Sequence, residues 1–101
     1  VMANEHAEIL GAPERLVTDT RLAFRRAAMD HVERAAEQSA ARIYVDLGAT
    51  KDIDASGLGV LVLLQKRARE RMIATRLLNA GAAVRQMLLL TKLDYLFELD
   101  D

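Results

Sequence analysis

Between residues 52 and 59 the chain reads Asp52-Ile53-Asp54-Ala55-Ser56-Gly57-Leu58-Gly59, an acidic segment that runs into a hydroxyl beside glycine. A serine so placed can cap a helix, attack as a nucleophile, or take a group from another enzyme. As a cap, its oxygen accepts an orphan N–H of the first helical turn. The same N–H groups, with the helix dipole, attract anions. Without side chains at Gly57 and Gly59, a second protein or a nucleotide can bring its own atoms close to Ser56. Either glycine can equally serve only to let helix pack closely on sheet. The spacing therefore predicts Ser56 as the N-cap of a helix, its hydroxyl presented and accessible.

Nucleophilic chemistry lacks its other parts. A serine hydrolase needs a base and an oxyanion hole, and the Gly-x-Ser-x-Gly elbow is absent. The histidines are His6, near the N-terminus, and His31, in a helical pattern, and both read as surface or satisfied side chains. Asp46 sits at a strand end, where an aspartate can accept phosphate, yet no acidic pair follows the first strand to hold magnesium. A lone Asp there is ordinarily a loop or capping residue. Ser56-Gly57-Leu58-Gly59 also lacks the lysine and spacing of a P-loop. The chain reads as a binding protein rather than an enzyme, with no cofactor and no metal site.

The remaining composition narrows the partners. At 101 residues there is room for one domain, and burial at this size leaves no volume for a deep closed cavity beside the core. Fourteen basic residues against 15 acidic ones give a net charge of -1, so no electrostatic footprint favours nucleic acid or an anionic membrane. The absence of cysteine rules out a thiolate nucleophile and a disulfide framework and fits a reducing, cytoplasmic setting. The longest apolar run, residues 58–64, is too short to span a bilayer, and no signal-like segment opens the chain.

The elements that must position Ser56 follow from periodicity. Residues 7–10 and 15–17, separated by Gly11-Ala12-Pro13-Glu14, read as an opening antiparallel hairpin. Residues 1–6 read as a frayed N-terminus. Capping side chains at Thr18-Asp19-Thr20 precede an amphipathic helix to about Ser39, with Leu22, Ala28, Met29, Val32, Ala35 and Ala36 on its apolar face. Residues 42–48 are a strand, 49–54 a polar loop, and 56–72 a helix whose first two turns are apolar all round and whose end is cationic. So apolar a start exceeds what a small core can cover and predicts surface that is covered elsewhere or awaits a partner. A strand at 73–78, a turn at 79–81, a helix at 82–90 and a closing strand with Tyr95, Phe97 and Leu99 alternating complete the chain. Strands alternating with helices imply crossovers and a mostly parallel sheet.

Val45-Asp46-Leu47, six residues, then Asp54-Ala55-Ser56-Gly57-Leu58-Gly59-Val60-Leu61 resembles the signature of STAS domains, specifically the bacterial anti-sigma factor antagonists. The resemblance continues through Leu77-Leu78-Asn79 and Met87-Leu88-Leu89-Leu90-Thr91-Lys92-Leu93 to Leu96-Phe97-Glu98-Leu99, so it covers the chain from Leu16 onward. It implies a single α/β domain over residues 1–101, with a mixed, mostly parallel sheet of about five strands flanked by three to four helices. It also implies that Ser56 is phosphorylated by a GHKL-type serine kinase that is itself the anti-sigma factor, and reset by a serine phosphatase. The contacted surface would comprise Asp52, Asp54, Gly57, Leu58, Gly59 and Val60, on a monomer or weak homodimer. Three positions depart from the family pattern: Ala55 replaces a second hydroxyl, Val17 an acidic residue before the first helix, and Arg71-Met72 a glycine pair after the second.

A phosphate on Ser56 adds about 1.5 to 2 negative charges. The helix dipole favours it by about 0.3 to 1 kcal/mol, and Asp54, two residues earlier, opposes it through a screened repulsion of similar order. The fold is therefore expected to survive modification, while an uncompensated dianion buried against a partner would cost several kcal/mol, on the order seen for broken buried ion pairs. The alternative is a STAS subunit that never cycles through phosphate, as part of a lipid-transport ABC complex or a signalling scaffold.

Overall fold

The structure, a computed structural model, describes residues 9–99. The expected fraying of residues 1–6, and His6 with it, lies outside the described residues. Strands β1 (Ile9–Gly11), β2 (Arg15–Leu16), β3 (Arg42–Asp46), β4 (Asp52–Ile53), β5 (Ala74–Leu78) and β6 (Glu98–Leu99) alternate with helices α1 (Arg21–Glu37), α2 (Ala55–Glu70) and α3 (Ala82–Thr91). The main sheet has the order β1-β3-β5-β6, and β2 and β4 form a separate two-stranded ribbon. This is the α/β architecture expected from the alternation of helical and strand patterns.

The opening hairpin does not form. β1 pairs parallel with β3, Ile9 opposite Tyr44 and Gly11 opposite Asp46, and β2 pairs parallel with β4, Leu16 opposite Ile53. The Gly11-Ala12-Pro13-Glu14 segment does not reverse the chain, because the loop after β3 consumes its backbone groups. Ala12 N–H donates to the Asp46 carbonyl, the Thr50 hydroxyl to the Pro13 carbonyl, and Lys51 N–H to the Glu14 carbonyl. Residues 9–16 thus run alongside 44–53 over their whole length, and every strand pair among the described residues is parallel. The predicted polar loop at 49–54 accordingly contains a strand.

One face of the sheet is dry. Ile43, Val45, Thr75 and Leu77 are buried beneath α1 and α2, while Arg42, Tyr44, Asp46 and Arg76 on the opposite face are half-buried. Period-2 alternation makes that division in strands covered on one side. On the half-open face the Arg42 Nε donates to Glu98 Oε1 at 2.6 Å and its Nη2 to Oε2 at 3.2 Å, which ties β6 across to β3. This fork holds the Glu98 carboxyl below its ordinary range. Leu61, Leu64 and Ala68 of α2 lie fully inside, with Leu58 and Val60 almost so.

Two smaller expectations are corrected. Leu22 is not part of the buried stripe of α1 but 63% exposed, and Phe24, His31 and Val32 carry the contact instead. Tyr95 does not alternate in a closing strand, because residues Asp94–Leu96 form a single 3-10 turn that leaves its ring 77% exposed. Among the described residues, Glu98 and Leu99 join the ladder beside Arg76 and Leu77.

Candidate functional site

The acidic segment becomes a bracket between two helix starts. Asp54 is extended (φ -116°, ψ -176°), follows β4 directly, and is itself the N-cap of α2. Its Oδ1 accepts the Gly57 N–H at 2.9 Å, and its backbone carbonyl accepts the Leu58 N–H. Its Oδ2 faces the turn before α1 and accepts the Thr18 N–H at 3.1 Å and the Thr18 hydroxyl at 3.2 Å. The N–H of Gly57 first, and then those of Thr18 and Ser56 with the Thr18 hydroxyl, hold the Asp54 carboxyl below its ordinary value against a modest desolvation.

Ser56 is therefore not the cap expected from its residue type. It occupies the second position of α2, within the first turn, because β4 delivers Asp54 to the capping position and a carboxylate there satisfies the orphan N–H. The consequence is a hydroxyl relieved of capping. Ser56 is half-buried, and its Oγ lies 3.1 Å from the Thr18 Oγ1. Ser56, Thr18 and Asp54 form a continuous polar chain in which each hydroxyl can donate to one neighbour and accept from another.

The other expected surface residues divide sharply. Asp52 is exposed on β4 and faces Arg15 at 3.7 Å, a wet pair of little energetic weight. Gly59 is exposed, with nothing within 4 Å of where a Cβ would stand. Gly57 is buried, and the space its side chain would take is filled by the backbone of Leu16. Leu58 and Val60 are 4% and 5% exposed, members of the core. Gly57 and Leu58 face inward, which corrects the expectation that they are exposed to a partner, whereas Val60, although nearly buried, lines the depression beside Ser56. The surplus of apolar surface expected on α2 is also small: α2 lies against β2, β5 and α1, and only Val62 and Leu63 stay partly open.

Arg21, Arg25 and Leu63, which the sequence pattern did not single out, join Leu22, Ala55, Ser56, Gly59 and Val60 in lining one open depression between α1 and α2. The spacing of Arg21 and Arg25 places both on one face of α1, but which face meets α2 is a tertiary matter. Thr18, read as a capping side chain for α1, instead spans to α2. Asp46, considered as a phosphate acceptor, accepts the Gly48 N–H at 2.8 Å and the Asn79 Nδ2 at 3.1 Å. The Asn79 amide first, then the Gly48 N–H, lower its pKa, and it serves to join the loops after β3 and β5. Among the described residues no three His, Cys, Asp or Glu side chains gather to hold a metal, and no helix is long and apolar enough to cross a membrane.

Known structures share this fold. A crystal structure of a Thermotoga maritima protein described as an anti-sigma factor antagonist superposes with a TM-score of 0.79 at 23% identity, covering 92% of this chain and 77% of that one. An NMR structure of the Thermotoga maritima protein gives 0.73 at 24% identity, covering 92% and 72%. The anti-sigma factor antagonist SpoIIAA in its unphosphorylated form gives 0.63 at 15% identity, covering 92% and 77%. At these identities the likeness is one of fold. No curated protein sequence matches the chain significantly. The family model for the STAS domain matches residues 19–101, which include α1, Asp54, Ser56 and every later element, and the chain belongs to the STAS domain family.

Proposed function

We propose that this protein is an anti-sigma factor antagonist that works as a partner switch controlled by phosphorylation of Ser56. The unmodified chain binds a GHKL-type kinase that doubles as the anti-sigma factor and so frees the sigma factor. In the transfer, the Ser56 Oγ forms a bond to the γ-phosphorus of ATP, the bond to ADP breaks, and the hydroxyl proton passes to a base of the kinase. The phosphorylated chain is released, and a serine phosphatase returns it to the start. The protein itself carries out no chemistry and is read as cytoplasmic.

The observation that carries this reading is the state of the Ser56 hydroxyl: freed from capping by Asp54, half-buried, and set on the rim of an open depression. A phosphate there need not unfold α2, whose cap is a different residue. It would meet a docking partner with a dianion, and burying unpaired charge at an interface costs several kcal/mol. The surface expected to make contact comprises Asp52, Asp54, Ser56, Gly59 and the open edge of Val60, with the exposed parts of Thr18, Arg21, Leu22 and Leu63.

Incubation with ATP and the cognate kinase, followed by intact mass measurement, tests the reading. One added phosphate on the wild type and none on Ser56→Ala is expected. A wild type that binds its partner yet never gains mass would instead mark a non-cycling subunit, such as one of a lipid-transport ABC complex.

A further inference from the structure

Arg21 and Arg25 stand one helical turn apart on α1 and share a depression with Ser56. Neither makes a hydrogen bond or ion pair among the described residues, whereas Arg15, Arg42 and Arg71 each pair with a carboxylate. Their placement is unfavourable for α1 taken by itself. Like charges at this spacing repel. The first turn of α1 contains no acidic residue, so Arg21 adds positive charge at the positive end of the helix dipole.

The geometry brings this uncompensated charge to Ser56. Arg21 begins α1 three residues after Thr18, whose hydroxyl is 3.1 Å from the Ser56 Oγ. Packed helices lie roughly 8 to 10 Å axis to axis, a gap that an extended guanidinium crosses easily. Between them, the floor at Gly59 is empty. The charged groups on the elements packed around the position are Arg21 and Arg25 on α1, Asp19 in the turn before it, Asp54 at the start of α2, and the Arg15–Asp52 pair on β2 and β4. Of the carboxylates, Asp54 is already committed to Gly57 and Thr18, and Asp52 faces Arg15.

We propose that Arg21 and Arg25 form an intramolecular receptor for the phosphate on Ser56, so that modification closes the depression between α1 and α2 by charge-assisted hydrogen bonds. The inference rests on the phosphorylation reading above and extends it. A phosphoryl group offers three acceptor oxygens and a guanidinium offers a planar fork, so one dianion can engage both arginines. The modified state then differs from the unmodified one in two ways. Its charge is neutralised within the fold, and the depression between the helices is occupied. A partner is then refused chiefly because the groove is filled, and the penalty for unpaired charge applies only to whatever part of the phosphate the arginines leave uncompensated.

The test uses phosphoserine encoded directly at position 56, alone and together with Arg21→Ala and Arg25→Ala. The second ionisation of the phosphate is followed by phosphorus NMR and the fold by thermal melting. In the otherwise wild-type chain, ionisation is expected about half a pH unit or more below the ordinary value near 6 for a phosphoserine. It should return to that value in the double variant, and Arg21→Lys with Arg25→Lys should retain part of the shift. The melting temperature should rise on phosphorylation only where the arginines are present. Arg21 and Arg25 are exposed, and the single variant Arg25→Gln provides the same comparison at smaller perturbation. Equal ionisation with and without the arginines would overturn the proposal. Because the phosphate is encoded, this result does not depend on any kinase, and failure of the switch itself is read separately by the mass measurement.

Discussion

The α-carbon of Gly57 faces the main chain of Leu16 so closely that an added Cβ would overlap the Leu16 carbonyl oxygen and come within 2.7 Å of its carbonyl carbon. The same carbonyl accepts the Asp54 N–H at 3.3 Å, so β2 is seated directly against the start of α2. A helix can approach a strand this closely only where it carries no side chain. Gly57 thus sets the position of the turn that presents Ser56.

Gly57→Ala and Gly59→Ala should move stability in opposite directions. Overpacking usually costs about 1 to 3 kcal/mol, and here the obstruction is backbone, which places Gly57→Ala at or above the top of that range. Gly59 is open and within a helix, so alanine there should stabilise by about 0.5 to 1 kcal/mol. Urea unfolding of the two variants checks both signs, and a neutral Gly57→Ala would refute the close approach.

Met72 should be improvable. It follows α2 in the left-handed region with φ 63°, its side chain is 89% exposed, and Ile73 N–H reaches back to the Ala68 carbonyl to close the helix end. Ser39 and Lys92 end α1 and α3 in the same conformation, without glycine. Left-handed backbone costs an L-residue about 1 to 2 kcal/mol, part of which glycine gives back as unfolded-state entropy. Met72→Gly should therefore add about 0.5 to 1 kcal/mol, and each kcal/mol gained should raise Tm by about 4 to 8 °C in a domain of this size.

Acid should loosen the bracket between α1 and α2. The Asp54 pKa is lowered in the folded chain, so its contribution is fully present above the unfolded value near 3.9 and is lost as pH falls through the folded value. Glu98 behaves in the same sense through Arg42. Stability measured in urea should hold through neutral pH and fall below about pH 4, with a shallower fall in Asp54→Asn. Thr18→Val removes one donor to Asp54, and carboxyl NMR should then show the Asp54 pKa moving up. An unmoved pKa would show that the Thr18 hydroxyl has no part in the bracket.

Charge at Ser56 should act on binding rather than folding. Ser56→Asp is expected to weaken the kinase partner's binding about a hundredfold, equivalent to about 2.8 kcal/mol, while Ser56→Ala binds like the wild type. Calorimetric titration measures both, and an aspartate variant that binds as tightly as the wild type would remove the switch. A single carboxylate presents less charge than phosphate, so the encoded phosphoserine should weaken binding further.

The amino-acid pattern by itself determined the alternating α/β order, the strands that become β3 and β5, and a reactive-looking hydroxyl at the start of the second long helix. These rest on local periodicity and capping chemistry, which neighbouring residues carry among themselves. Tertiary structure decided the rest. Whether residues 9–16 fold back on themselves or run beside 44–53 depends on donors and acceptors some 37 residues away, such as Leu16 and Ile53. That pairing brings β4 to Asp54, gives the cap to the carboxylate, and leaves the Ser56 hydroxyl free beside Thr18. The inward turn of Gly57 and Leu58, and the meeting of Arg21 and Arg25 with Ser56 in one depression, likewise follow from how α1, α2 and β2 pack together, and packing is a relation between two surfaces that neither sequence segment specifies alone.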